Sequence, residues 1–187
     1  MKYALIVGIN KYKIPGNDLR GCVNDAMAVR DMCQEWGFTN IITLLDEQAT
    51  KESIMTNLTN MVKNAKRGDK VLYYHSGHGT QVPDLNGDEL DGLDEALVTH
   101  DFDWDDPFTD DILARCLRGH RKGVQLYLII DTCFSGGGAK GITNKLGTRT
   151  LPLTENQQSL LRKTPKRSSR PFGRKPKKKG RQRHIFL

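Results

Sequence analysis

The sequence contains no long hydrophobic run. Nothing in its 187 residues approaches the roughly 20 consecutive apolar positions a helix needs to cross a bilayer. The opening MKYALIVGIN is interrupted by Asn10 and Lys11 too early for a secretory signal, so a cytoplasmic location is expected. Cysteine is scarce. Cys22, Cys33, Cys116 and Cys133 show neither a CxxC pair nor zinc-ligand spacing, which argues for reduced thiols rather than a disulfide framework. There is no GxSxG elbow and no GxxxxGK[ST] phosphate loop, so a hydrolase serine and a P-loop nucleotide site are unsupported. Acidic residues also run out, since none follows Glu155.

That last absence explains the net charge of +7, which misrepresents most of the chain. The stretch Arg162 to Arg183 carries 12 of the 29 basic residues, leaving 17 against 22 acids, an acidic body of about −5. The length suits one domain with a core. We expect that domain over residues 1–141, followed by a basic, low-complexity, disordered tail over 142–187 that is too poor in apolar residues to pack.

Within the body, strand and helix signals alternate. YALIVGI, NIITLLD, KVLYYHS and GVQLYLIIDTC read as buried strands. NDLRGCVNDAMAVRDMCQEWGF has apolar residues at spacings of three and four and stops at Gly37, as an amphipathic helix does. ATKESIMTNLTNMVKNAKRGD is a second helix with Thr50 as its N-cap, and DDILARCLRG a short third. TQVPDLNGDELDGLDEA reads as a long acidic loop. Alternation of this kind predicts an α/β fold, a mainly parallel sheet with helices on both faces. Ligands of such sheets bind beyond the carboxyl ends of the strands.

Two polar, glycine-rich segments fall at those ends: HSGHGT (75–80) and DTCFSGG (131–137). A thiol attacks a carbonyl as the thiolate, so it needs a base or an electropositive setting, and histidine suits that task near neutral pH. His78 and Cys133 are therefore a candidate pair, with the backbone N–H groups of Gly79 and Cys133 as candidate oxyanion donors. Each residue also has an ordinary structural reading, the cysteine as a small buried apolar side chain and the histidine as a hydrogen-bonded strand end.

These segments resemble the histidine and cysteine boxes of the caspase-like cysteine peptidases of family C14, in the metacaspase and orthocaspase branch. ALIVGINKY, LRGCVNDA and DGLDEALVTHDF resemble the family's first strand, first-helix motif and acidic segment, so the likeness covers about residues 1–140. It implies a caspase-like three-layer sandwich and a Cys133–His78 dyad, with Cys133 as nucleophile, His78 as general acid and base, and His75 structural. It implies an acidic pocket from Asp25, Ser76 and Asp131 that accepts Arg or Lys before the scissile bond, so protein or peptide substrates are the expected partners. Calcium is the cofactor the family suggests. Asp94 and Asp110 match two of its ligand positions, Asp111 offers a carboxylate one residue on, and Thr109 and Lys140 depart from the pattern. Nothing after Gly141 resembles the small-subunit strands expected after the cysteine box, so we expect a truncated chain, a second chain that supplies them, or a dimer that completes the sheet. The basic tail has three readings: a substrate for self-processing within LLRKTPKRSSR, a nucleic-acid contact, or a merely solvated segment. The rival reading of the whole is an inactive or incomplete homologue that serves as a binding or regulatory module.

Overall fold

A computed structural model describes residues 1–84 and 92–132. The expected tail over 142–187 lies outside the described residues. The elements are β1 (Lys2–Gly8), α1 (Cys22–Glu35), β2 (Asn40–Leu45), a 3-10 turn (Asp46–Gln48), α2 (Lys51–Asn64), β3 (Lys70–Ser76), β4 (Gly79–Pro83), β5 (Leu93–Leu97), β6 (Phe108–Thr109), α3 (Asp110–Leu117) and β7 (Gln125–Asp131). Four strands form a parallel sheet in the order β2-β1-β3-β7.

The period of two along β1 and β3 builds two separate cores. Leu5, Val7, Val71 and Tyr73 face one side, where α2 contributes Ile54, Leu58 and Val62 and α3 contributes Leu113 and Cys116. Ala4, Ile6, Leu72 and Tyr74 face the other side and meet Ala26 and Cys33 of α1. Helices thus cover both faces, as the alternation predicts, and the caspase-like layering is present. The unbroken apolar runs of β1 and β3 exist because both of their faces are buried.

Two expectations change. The two ends of the long acidic loop are strands of a second sheet, antiparallel, in the order β4-β5-β6. Its strands alternate: Thr80, Val82, Asp94 and Ala96 are buried, while Glu95 between the last two is exposed. The acidic residues around that alternation disguise it. The first helix also begins at Cys22 rather than at the Asn17 end of the predicted segment. Gly21 has φ 108°, a left-handed conformation that suits glycine and cannot continue a helix. Residues 17–20 instead run as a loop, with the Leu19 N–H bonded to the Asn10 carbonyl at 2.7 Å. The Asn10 side chain then accepts from the Cys22 N–H at 3.0 Å, satisfying one of the exposed donors at the start of α1.

Candidate active site

The carboxyl ends of β3 and β7 lie side by side, in a register that pairs Ser76 with Asp131. The Ser76 hydroxyl donates to the Asp131 carboxylate at 3.3 Å. Ser76 is fully buried and Asp131 is exposed, so the pair joins the sheet interior to its rim. On the other side of β3, Ser76 pairs with Gly8 at the end of β1. A Cβ on Gly8 would lie 2.5 Å from the Ala26 Cβ and 2.6 Å from the Cys22 carbonyl oxygen, so glycine is required for α1 to approach this closely. That approach brings the first turn of α1, including Asp25, to the same strand ends. The three expected pocket residues therefore share one end of the sheet, with a direct bond between Ser76 and Asp131.

His78 is not the last residue of β3. It joins the two sheets, after Ser76 ends β3 and before Gly79 begins β4. It is 4% exposed. Its ring Nε2 lies 2.8 Å from the Asn17 carbonyl oxygen. A carbonyl only accepts, so Nε2 carries the hydrogen and the neutral ring has its lone pair on Nδ1. The His78 N–H donates to the Tyr12 hydroxyl at 2.9 Å, and the two rings sit 4.9 Å apart at 46°. The His78 carbonyl accepts from the Val98 N–H at 3.0 Å.

That last bond fixes the character of Gly79. It identifies Gly79 and Leu97, which face each other across β4 and β5, as a non-hydrogen-bonded pair. The Gly79 N–H is therefore not used in the β4–β5 ladder. It points out from the edge of the small sheet.

The loop carrying Asn17 is anchored at several points. The Asp46 carboxylate accepts from the N–H groups of Asn10 and Lys11 at 2.7 and 2.9 Å. Asp46 does so at φ 45°, in the left-handed region that a side chain seldom occupies. The Asp18 carboxylate accepts from the Tyr12 N–H at 3.2 Å and from Lys11 Nζ at 2.8 Å, and the bond from Lys11 holds the Asp18 carboxyl below its usual range. His100 lies 2.7 Å from the Lys11 carbonyl through Nδ1. Tyr12, Asn17 and Asp46 were not among the residues singled out in the sequence. Tyr12 ends the ALIVGINKY motif, but the motif does not disclose its role, because the contacts of all three residues lie about 30 to 70 residues away along the chain.

His75 is structural, as expected. It is fully buried, and its Nδ1 pairs with the Tyr73 hydroxyl at 3.1 Å. Burial lowers its pKa to about 3, against a smaller upward pull from Asp131, so the ring is neutral. The same burial pushes the Tyr73 phenol upward.

The calcium expectation falls partly outside the described residues. Among the described residues no group of three His, Cys, Asp or Glu side chains is placed to hold an ion. Asp94 sits within β5, while Asp110 and Asp111 occupy the first turn of α3 behind the Thr109 cap. There the amide dipoles of the helix already favour carboxylates. Residues 85–91 and Lys140 lie outside the described residues. Cys133, the expected nucleophile and oxyanion donor, also lies outside them, one residue beyond Thr132.

Comparison with known proteins identifies the family and supports the fold. The family model described as metacaspase, peptidase C14 domain, matches residues 2–140. The chain belongs to the metacaspase family. Metacaspase-1A of Aspergillus fumigatus is 38% identical over 143 residues, covering 71% of this chain and 34% of that protein. Metacaspase-1 of Arabidopsis thaliana is 36% identical over 145 residues, covering 72% and 39%. The present metacaspase chain thus spans little more than a third of the length of these curated relatives. Among solved structures, protein GSU0716 of Geobacter sulfurreducens superposes with a TM-score of 0.69 at 30% identity, covering 86% of this chain and 59% of that one.

Proposed function

We propose that this metacaspase chain is a cysteine endopeptidase that cleaves after Arg or Lys through Cys133 and His78. The observation that carries the reading is the His78 ring, whose Nε2–H is committed to the Asn17 carbonyl. That bond leaves Nδ1 as the basic nitrogen, at the strand end beside the one that leads into Cys133.

Chemically, Nδ1 takes the thiol proton and the thiolate attacks the scissile carbonyl. The Asn17 carbonyl stabilises the imidazolium that forms, because its partner Nε2–H becomes part of a cation. The Gly79 N–H, with that of Cys133, holds the oxyanion. Nδ1–H then protonates the leaving amine, and water attacking with the help of the same nitrogen releases the acyl group. No step requires a metal.

The preference for Arg or Lys rests on Asp131, Asp25 and Ser76. Two carboxylates at one strand end attract a cationic side chain and repel an Asp side chain. Ser76 donates to Asp131 and so keeps that carboxylate oriented for a guanidinium or ammonium group. The basic tail contains such residues in LLRKTPKRSSR, which makes self-processing part of the proposal.

The test is mass spectrometry of the protein and its Cys133→Ala variant, incubated with fluorogenic peptides ending in Arg, Lys or Asp, with and without calcium. Cleavage of the Arg and Lys peptides by the unsubstituted protein alone is the expected result. Silence of both proteins in every condition counts against the peptidase and favours the incomplete binding module.

A further inference from the structure

We propose that Tyr12 is a positioning residue for His78. The proposal rests on the reading of His78 as the catalytic base, and it assigns a role to a tyrosine 66 residues away in sequence. The Tyr12 hydroxyl accepts from the His78 N–H at 2.9 Å and donates to the Ile9 carbonyl at 3.2 Å. The hydroxyl thereby bridges the main chain beyond β1 to the main chain beyond β3. Both residues are buried, at 8% and 4% exposure, so water does not readily replace these bonds.

The hydroxyl also limits the path of the chain before His78. A Cβ on Gly77 would fall 2.8 Å from the Tyr12 oxygen, closer than such atoms come. Only glycine fits between the phenol and the histidine, and the phenol sets the direction in which the chain leaves β3. The tyrosine ring, 4.9 Å from the imidazole, backs one side of it.

Tyr12 and Asn17 belong to one loop. That loop therefore fixes the His78 backbone through the Tyr12 hydroxyl and the His78 ring through the Asn17 carbonyl. Tyr12 is itself held by its N–H on Asp18, and its neighbours by Lys11 N–H on Asp46 and Lys13 N–H on the His100 carbonyl at 3.0 Å. Removing only the Tyr12 oxygen leaves a buried N–H without its acceptor. The chain then relaxes at His78, and Nε2 no longer meets Asn17 in one fixed geometry.

The experiment compares the full chain with Tyr12→Phe and with Tyr3→Phe, a control whose hydroxyl lies far from the site against Met1 Sδ. Nitrogen-15 NMR of the His78 imidazole follows the exchange of the Nε2 proton with solvent. We expect a protected Nε2–H in the unsubstituted protein and in the control, and exchange about tenfold faster in Tyr12→Phe, in line with the cost of an orphaned buried donor. Where peptide cleavage is measurable, kcat falls by a similar factor while KM holds. Exchange in Tyr12→Phe equal to that of the control overturns the proposal, whatever the activity. The exchange measurement needs no turnover, so a protein that cleaves no peptide refutes the peptidase reading while the NMR result still decides the role of Tyr12.

Discussion

His75 makes the stability of the domain depend on pH in a way that can be calculated. Its ring is fully buried and neutral, paired through Nδ1 with the Tyr73 hydroxyl, while Nε2 meets no hydrogen-bond partner among the described residues. In the unfolded chain it protonates near pH 6.5, but in the folded protein only near pH 3. The folded state thus binds fewer protons throughout that interval. His75 therefore costs nothing above about pH 6.5, and stability falls as pH drops from there towards 3. For these two values, the loss between pH 7 and pH 5 is about 2 kcal/mol, with a limiting slope of ~1.4 kcal/mol per pH unit. The perturbation is His75→Gln, which fills much of the same space without a titrating ring. Urea unfolding of both proteins at pH 7 and pH 5 gives the assay. Carboxylates common to the two cancel in the difference, leaving the unsubstituted protein to lose about 2 kcal/mol more than the variant. Equal losses, within ~0.5 kcal/mol, would show that His75 protonates in the folded state and would refute the reasoning from burial.

Other outcomes follow from the same contacts. Gly8→Ala forces a Cβ against the Cys22 carbonyl oxygen at 2.6 Å, so α1 must shift. We expect a loss of about 1–3 kcal/mol in calorimetry, with a higher KM for Arg peptides because α1 carries Asp25. Thr50→Ala removes the cap that accepts from the Ser53 N–H at 3.1 Å. It should lower stability by ~1 kcal/mol and Tm by roughly 2–4 °C, with kcat unchanged. Asp131→Asn keeps the shape of the Ser76 contact and removes the charge. Cleavage after Arg should fall by about 10- to 100-fold in kcat/KM, the worth of a charge-assisted hydrogen bond; an unchanged ratio of Arg to uncharged peptides would remove Asp131 from the pocket.

The parts legible in the sequence are those governed by short-range patterns. The apolar runs of β1 and β3 identify strands buried on both faces. Thr50 is recognisable as a cap because its partner, Ser53, is three residues away. The alternation of elements locates His78 at a sheet end because parallel strands fix which ends lie together. The sheet formed by β4, β5 and β6 was obscured, since its Thr80–Val82 and Asp94–Ala96 alternation is embedded in acidic residues that look like a loop. The helical spacing extends back over residues 17–21, but α1 starts only at Cys22, because Leu19 N–H bonds to Asn10 and the left-handed Gly21 interrupts the helix. Tyr12 and Asn17 fall inside recognised segments, but nothing in those segments tells of their contact with His78. Their partner His78 is brought to them by the pairing of β1 with β3, a contact between residues nearly 70 apart.

The strand order has a consequence for how the chain is made. β1 acquires its neighbours in the order β2, then β3, as residues 40–76 emerge, while β7 ends only at residue 131. Non-local parallel pairing is slow to form, and the last pairing here spans 55 residues, from Ser76 to Asp131. A nascent chain can therefore join residues 10–19 to His78 before β7 has been made, through a β1–β3 pairing that is itself non-local. The order of synthesis thus sets an order of assembly: β2, β1 and β3 are all made before β7, the outer strand of the parallel sheet among the described residues, can be added to them.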